Sequence, residues 1–188
     1  MRYLVSHLPD VKRPVDRAWL AISVTIPLRP EEVLGITWED IDLDKCLIHV
    51  NNTVTHPSRN APEFKPYTKT ASSVRIIAFP KSIIPYIPKA GSPKDFVIGG
   101  ARPVSYTELR NIRKRIASDT KFPEPIVPRR FRTTVATDIS ATTHDLKLVQ
   151  QMLGHSTPQM TLKHYNKGRS QAIDASNAIQ KCYGLTES

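Results

Sequence analysis

Two side chains near the end of the 188-residue chain, His155 and Tyr165, stand in a pattern that could do chemistry. The apolar-periodic stretch from Leu148 to Leu153 stops at Gly154, His155 follows, and Thr157-Pro158 opens a second short helix. Thr at a cap and Pro at the first helical position are both helix-start signals. This places an imidazole at a helix junction and a phenol about two turns on, roughly 10 Å along the second axis. As isolated features they fit two core helices better, with His155 capping a terminus and Tyr165 packed with its hydroxyl outward.

Four cations lie upstream. Arg29, in Pro27-Leu28-Arg29-Pro30, precedes a helix that Pro30-Glu31-Glu32 opens. Such a junction gathers backbone N–H groups, a helix dipole and a guanidinium for one anion; the structural alternative is an ion pair with Glu32 or Asp40. Lys69, in Tyr67-Thr68-Lys69-Thr70, falls in a hairpin-like segment where an ammonium can reach a neighbouring groove and give a proton to a leaving oxygen. The alternative is a solvated hairpin lysine, with Lys65 as local competitor. Arg129 and Arg132 are three residues apart on one helix and repel unless an anion lies between them; the alternative is that both splay into water. Phe131 and Val135 must face inward, so this pair borders the core.

Composition narrows the partner. Net charge is +10 and the pI about 9.8, which favours a polyanion. From Arg102 to Arg132 nine basic residues face three acidic ones, and part of that excess falls on a helix, so a stripe facing phosphates is expected. No apolar run approaches a bilayer span and no signal pattern opens the chain, which gives the expectation of a cytoplasmic protein with no membrane partner. Cys46 and Cys182 match no metal or redox spacing and read as reduced. His144, His155 and His164 lack zinc spacing, and neither a Gly-rich phosphate loop nor a Gly-x-Ser-x-Gly elbow occurs.

These residues need elements to hold them. Val15, Ala18, Trp19, Ile22 and Ile26 predict a helix anchored by Trp19, broken at Pro27. Cys46–Val50 and Val74–Phe79 read as strands, with short strands and a turn between them. Ser82–Ile87 is a short helix candidate interrupted by Pro85, and Phe96–Ile98 a small strand. Ser105 and Glu108 form a capping box for a helix to Thr120, with Leu109, Ile112 and Ile116 as its buried stripe. Helices over Pro128–Ser140 and Asp145–Leu153 follow, the second turning Leu146, Val149, Met152 and Leu153 inward, and a terminal helix runs from Ser170 to Tyr183. The fold class expected is α+β, mainly α-helical: one domain with a small antiparallel sheet in its N-terminal third.

Taken in order, these segments resemble the tyrosine recombinase (phage integrase) family. Leu28-Arg29-Pro30-Glu31-Glu32-Val33-Leu34-Gly35 through Trp38-Glu39-Asp40-Ile41-Asp42 is similar to its first arginine box. Thr68-Lys69-Thr70 with Ser73-Val74-Arg75-Ile76-Ile77 is similar to its β-hairpin lysine segment, and Arg132-Thr133-Thr134-Val135 to its second arginine box. Leu153-Gly154-His155 through Tyr165 completes the set. Four weak motifs in register over nearly the whole chain carry the resemblance.

The resemblance implies that Arg29, Lys69, Arg132, His155 and Tyr165 occupy catalytic positions, with Tyr165 as nucleophile. It implies site-specific recombination of double-stranded DNA through a 3′-phosphotyrosyl link and a free 5′-hydroxyl, without metal or nucleotide cofactor. It also implies a homotetramer on DNA that is a monomer when isolated, and a C-terminal helix, residues 169–188, able to dock on a neighbour. The source implied is a bacterium or mobile element. Two features depart from the family pattern. Arg129 stands where the family has His or Lys, keeping charge for phosphate but unable to shuttle a proton. The family's separate DNA-clamping and arm-binding domains do not fit in the chain, so residues 1–188 are expected to be the catalytic domain alone. A topoisomerase-like strand nicker, a catalytically weakened DNA-binding regulator and an unrelated basic helical module are the alternatives.

Overall fold

A computed structural model of the chain describes residues 1–58, 61–66, 74–154, 177 and 179–184. Among them, helices α1 (Arg2–Ser6), α2 (Pro14–Thr25) and α3 (Pro30–Gly35) precede strands β1 (Ile41–Asp42), β2 (Leu47–Val50), β3 (Asn52–Ser58), β4 (Ala61–Pro66) and β5 (Arg75–Ala78). Helices α4 (Tyr106–Thr120), α5 (Pro128–Thr143) and α6 (Leu146–Leu153) follow. The architecture is α+β and mainly helical, as the sequence predicts.

Helix α2 is the centre. Trp19, Leu20, Ile22, Val24 and Ile26 are all fully buried, and α4, α5 and the 3₁₀ segment Lys81–Tyr86 pack around it. The one-faced pattern expected for this helix understates it: Val15, counted on the inner face, is exposed, while Leu20 and Val24 are buried on other sides. A helix walled in by several neighbours has no solvent face to keep polar. The Phe131 ring of α5 sits 6.2 Å from that of Trp19.

The β region holds two sheets rather than one. Strands β1, β2 and β5 pair antiparallel in that order, with Ile48 opposite Ile77. Strands β3 and β4 form a separate hairpin with Val54 opposite Phe64. Phe96–Ile98, expected as a strand, contributes only isolated bridges from Phe96 to Thr37 and Gly100. Helix α3 lies directly on β3: a Cβ at Gly35 would meet the Asn52 carbonyl and Thr53 Cα at 2.8 Å, so only glycine permits this approach.

The local signals hold on α4 and α6. Ser105 Oγ accepts from the Glu108 N–H at 3.2 Å, Glu108 Oε2 accepts from the Ser105 N–H at 2.8 Å, and Leu109, Ile112 and Ile116 are buried. Asp145 caps α6 by accepting from the Leu148 N–H at 2.9 Å. Val149 and Met152 of α6 are buried as expected, Leu148 joins them, and Leu153 is partly buried against the core; the Leu146 side chain lies outside the described residues. No described helix is long and apolar enough to cross a membrane.

Candidate active site

Helix α3 begins where Pro27 and Pro30 leave α2 no continuation. Its first turn carries Glu32, three residues after Arg29, so the carboxylate folds back on its own N-terminus. Glu32 Oε2 accepts from the Arg29 N–H at 2.7 Å and Oε1 from Arg29 Nη1 at 2.7 Å. The Arg29 pairing partner is thus Glu32. Asp40 is taken by the Thr37 N–H and hydroxyl and by Asn52 Nδ2.

The same carboxylate gathers two more guanidiniums. Arg75, the first residue of β5, places Nη1 at 3.1 Å from Oε1 and Nη2 at 2.8 Å from Oε2. Arg132, next to the buried Phe131 on α5, brings Nη1 to 3.6 Å from Oε2. Arg132 also donates to the Pro27 carbonyl at 3.1 Å and to the Leu153 carbonyl at 2.7 Å. Three chain segments therefore send cations to one carboxylate whose side chain is fully inaccessible.

Exposure grades across the cluster. The side chain of Arg75 is 5% exposed, that of Arg132 11% and that of Arg29 35%. Burial alone would raise the Glu32 pKa; the Arg75 bonds and charge, followed by the Arg29 N–H and guanidinium, outweigh it and hold the group at about 2. Among the described residues three guanidiniums surround this one carboxylate, and the cluster opens toward solvent on the Arg29 side. A buried, hydrogen-bonded set of cations that outnumbers its counter-ion suits a dispersed anion such as a phosphodiester.

Of the residues singled out by sequence, Arg29 and Arg132 are brought together on Glu32. Arg129 is exposed at the start of α5 and makes no ion pair among the described residues. Lys69, His155 and Tyr165 lie outside the described residues. Lys65, the competitor of Lys69, pairs with Glu63 on β4 at 2.8 Å with both side chains about half exposed.

The basic stretch from Arg102 to Arg132 does not form one continuous free stripe. Arg115 turns inward to hold the buried Asp16 bidentately at 2.6 and 2.8 Å, and Arg102 pairs with Glu108. Arg110, Lys114, Lys121 and Arg129 remain exposed.

Two participants escaped the sequence reading. Glu32 counted only as a surface partner for Arg29, and Arg75 only as part of a strand motif. The i,i+3 spacing signals the first contact. The second ion pair joins residues 43 apart, and nothing local announces it. The C-terminal tyrosine Tyr183 also has a defined partner: its hydroxyl donates to Asp138 Oδ2 on α5 at 2.9 Å. Burial, then the Asp138 charge and bond, push its pKa up, so this hydroxyl keeps its proton.

A family model described as "Phage integrase family" matches residues 4–171. A tyrosine recombinase XerC-like protein of Caldanaerobacter subterraneus subsp. tengcongensis is 26% identical over 196 residues, covering 87% of this chain and 49% of that protein. Tyrosine recombinase XerC of Bacillus subtilis (strain 168) is 28% identical over 162 residues, covering 82% of this chain and 51% of that protein. The chain thus spans about half the length of the curated relatives it matches. In fold it is similar to the Tn1549 transposon integrase, solved in complex with transposon right end DNA: TM-score 0.63 and 19% identity over 94% of this chain and 62% of that one. Four motifs in register, the arginine pair on one carboxylate and the family match agree: the chain belongs to the phage integrase family of tyrosine recombinases.

Proposed function

We propose that residues 1–188 form the catalytic domain of a site-specific DNA recombinase that cuts and rejoins double-stranded DNA, working on nucleoid DNA in a bacterial cytoplasm. The observation that carries this reading is the convergence of Arg29 and Arg132 on the buried Glu32, a cationic cradle that reaches solvent at Arg29. The Xer-type relatives and the DNA-bound integrase structure support DNA as the partner.

In the proposed reaction the Tyr165 oxygen attacks the phosphorus, its proton passes to solvent water, and the bond from phosphorus to the 5′-oxygen breaks. Lys69 gives a proton to that 5′-oxygen, and the 3′-phosphotyrosyl bond keeps the energy needed to reseal the strand. Arg29 and Arg132 hold the non-bridging oxygens as negative charge spreads over them. His155 adds a donor to the same phosphate, and Arg129 binds it electrostatically. No step needs a metal or nucleotide. Working assemblies are homotetramers on two DNA sites, with the isolated chain monomeric; residues 179–183 hold to α5 of their own domain, which leaves docking on a neighbour to the rest of 169–188.

A nicked duplex that loses its 5′-fragment after cleavage traps the covalent product. On a denaturing gel at low salt, where phosphate contacts are strongest, the chain is expected to give a slow-migrating DNA adduct that Tyr165→Phe abolishes. Absence of the adduct with binding retained would mark a DNA-binding regulator instead, and adduct formation without exchange between two duplexes would mark a strand nicker.

A further inference from the structure

We propose that Arg75 is a positioning residue of this reaction: it ties Glu32 to the last turn of α6 and so sets where the chain leaves toward His155 relative to Arg29 and Arg132. The inference rests on the strand-cleavage reading above.

The geometry is specific. Both terminal nitrogens of Arg75 meet both oxygens of Glu32, the fork-on-fork arrangement of a bidentate pair. Its Nε donates at 2.9 Å to the Met152 carbonyl. That carbonyl belongs to the final turn of α6, where acceptors lack partners inside the helix and the dipole favours a cation. The next carbonyl, that of Leu153, is taken by Arg132. Two consecutive carbonyls at the end of α6 are thus fastened by two guanidiniums that share one carboxylate. Gly154, at φ +60°, follows directly, and a Cβ there would lie 3.0 Å from Arg75 Nη1. The helix end fits against this side chain, and a Cβ at position 154 would require the guanidinium to yield by a few tenths of an ångström.

Arg75 also governs how Glu32 treats the other two arginines. Together with Arg29 it occupies both carboxylate oxygens, and Arg132 stands off at 3.6 Å. Without it the carboxylate would be open to close on Arg132 and draw it away from a phosphate. Apolar residues could fill the same buried space at similar stability, so the charge at position 75 is explained by alignment better than by folding.

The test is single-turnover adduct formation on the nicked duplex, with DNA affinity measured separately and folding followed by thermal melting. Arg75→Gln is expected to lower the rate at saturating DNA roughly 100-fold while DNA affinity stays within about threefold. Arg75→Lys, which keeps the charge but cannot fork and reach Met152 together, is expected to recover about tenfold of that loss. Should the Gln variant unfold, the Lys variant decides: a folded Lys variant about tenfold slow at unchanged affinity supports the proposal, and one that cleaves at the parent rate overturns it. A folded Gln variant that cleaves at the parent rate, or loses rate and affinity in equal measure, overturns it as well. If the parent chain makes no Tyr165-dependent adduct, the function reading falls and takes this one with it; an adduct-forming parent with an unaffected variant removes this one alone.

Discussion

Arg132 Nη2 donates to the carbonyl of Leu153 at 2.7 Å, so the second arginine of the site is also a fastener for the end of α6. Its other terminal nitrogen reaches the Pro27 carbonyl, two residues before Arg29. One planar fork thereby joins the entry to α3 and the exit from α6. A lysine can satisfy one of these acceptors but not both. Arg132→Lys is therefore expected to cost roughly 2 kcal/mol in urea unfolding and to slow adduct formation at saturating DNA. An Arg132→Lys chain with parental stability would show that the two carbonyl bonds contribute nothing net.

The Glu32 carboxylate gives the fold an acid limit. Its folded pKa of about 2 lies below the ordinary value of 4.5, so its contribution is fully present above about pH 5 and is lost as pH falls toward 2. The shift corresponds to stability on the order of 3 kcal/mol. Glu32→Gln removes the counter-ion and leaves Arg75 buried and unpaired, a change that typically costs about 3–5 kcal/mol. Chemical unfolding of parent and variant across pH should show a gap that is widest near neutrality and closes between about pH 4.5 and 2. A gap independent of pH would mean that the lost packing, rather than the charge, sets the difference.

Gly154 separates two effects that one substitution would confuse. Ala in the left-handed region costs about 1 kcal/mol, and its Cβ would also press on Arg75 at 3.0–3.2 Å. Asn tolerates that backbone region but carries the same Cβ. If the contact with Arg75 matters for the reaction, Gly154→Asn should slow adduct formation as Gly154→Ala does while losing less stability. Parental cleavage by Gly154→Asn would assign the glycine to backbone conformation alone.

What could be read from the sequence was what short spacings encode. The Ser105–Glu108 box, the Asp145 cap and the Arg29–Glu32 contact all act within three residues, and all are present. The burial of Glu32 was not legible, because the group that neutralises it sits 43 residues away and is itself held by a carbonyl 77 residues further on. The second sheet was missed for a related reason. Strands β2 and β3 are separated by Asn51 alone, and no local signal says that β3 will leave the sheet to pair with β4 and carry α3. Of the five residues given catalytic positions, the two arginines are placed by the fold, while Lys69, His155 and Tyr165 fall outside the described residues.

Arg129 is exposed three residues before Arg132, on the same side of α5, and makes no ion pair among the described residues. Its guanidinium supplies charge at every accessible pH but exchanges no proton. Arg129→His is expected to speed cleavage on the nicked duplex by about tenfold or more near pH 6.5, where imidazole is half protonated, with DNA affinity slightly reduced. Unchanged or slower cleavage would show that position 129 only binds phosphate in this chain.

Tyr183 is the control for the nucleophile. Its hydroxyl donates to Asp138, and Cys182 beside it packs on Thr142 and the Asp138 carbonyl, so residues 179–183 hold to α5 of their own domain. A phenol whose proton is retained by burial and a neighbouring carboxylate is a poor nucleophile, because attack on phosphorus requires that proton to leave. Tyr183→Phe is expected to lower stability by about 1 kcal/mol and to leave adduct formation on a single-site nicked duplex intact, whereas Tyr165→Phe removes the adduct. Peptide mapping of the trapped DNA adduct checks the assignment directly. DNA attached to the peptide that contains Tyr183 would overturn it and move the nucleophile to the other end of the C-terminal segment.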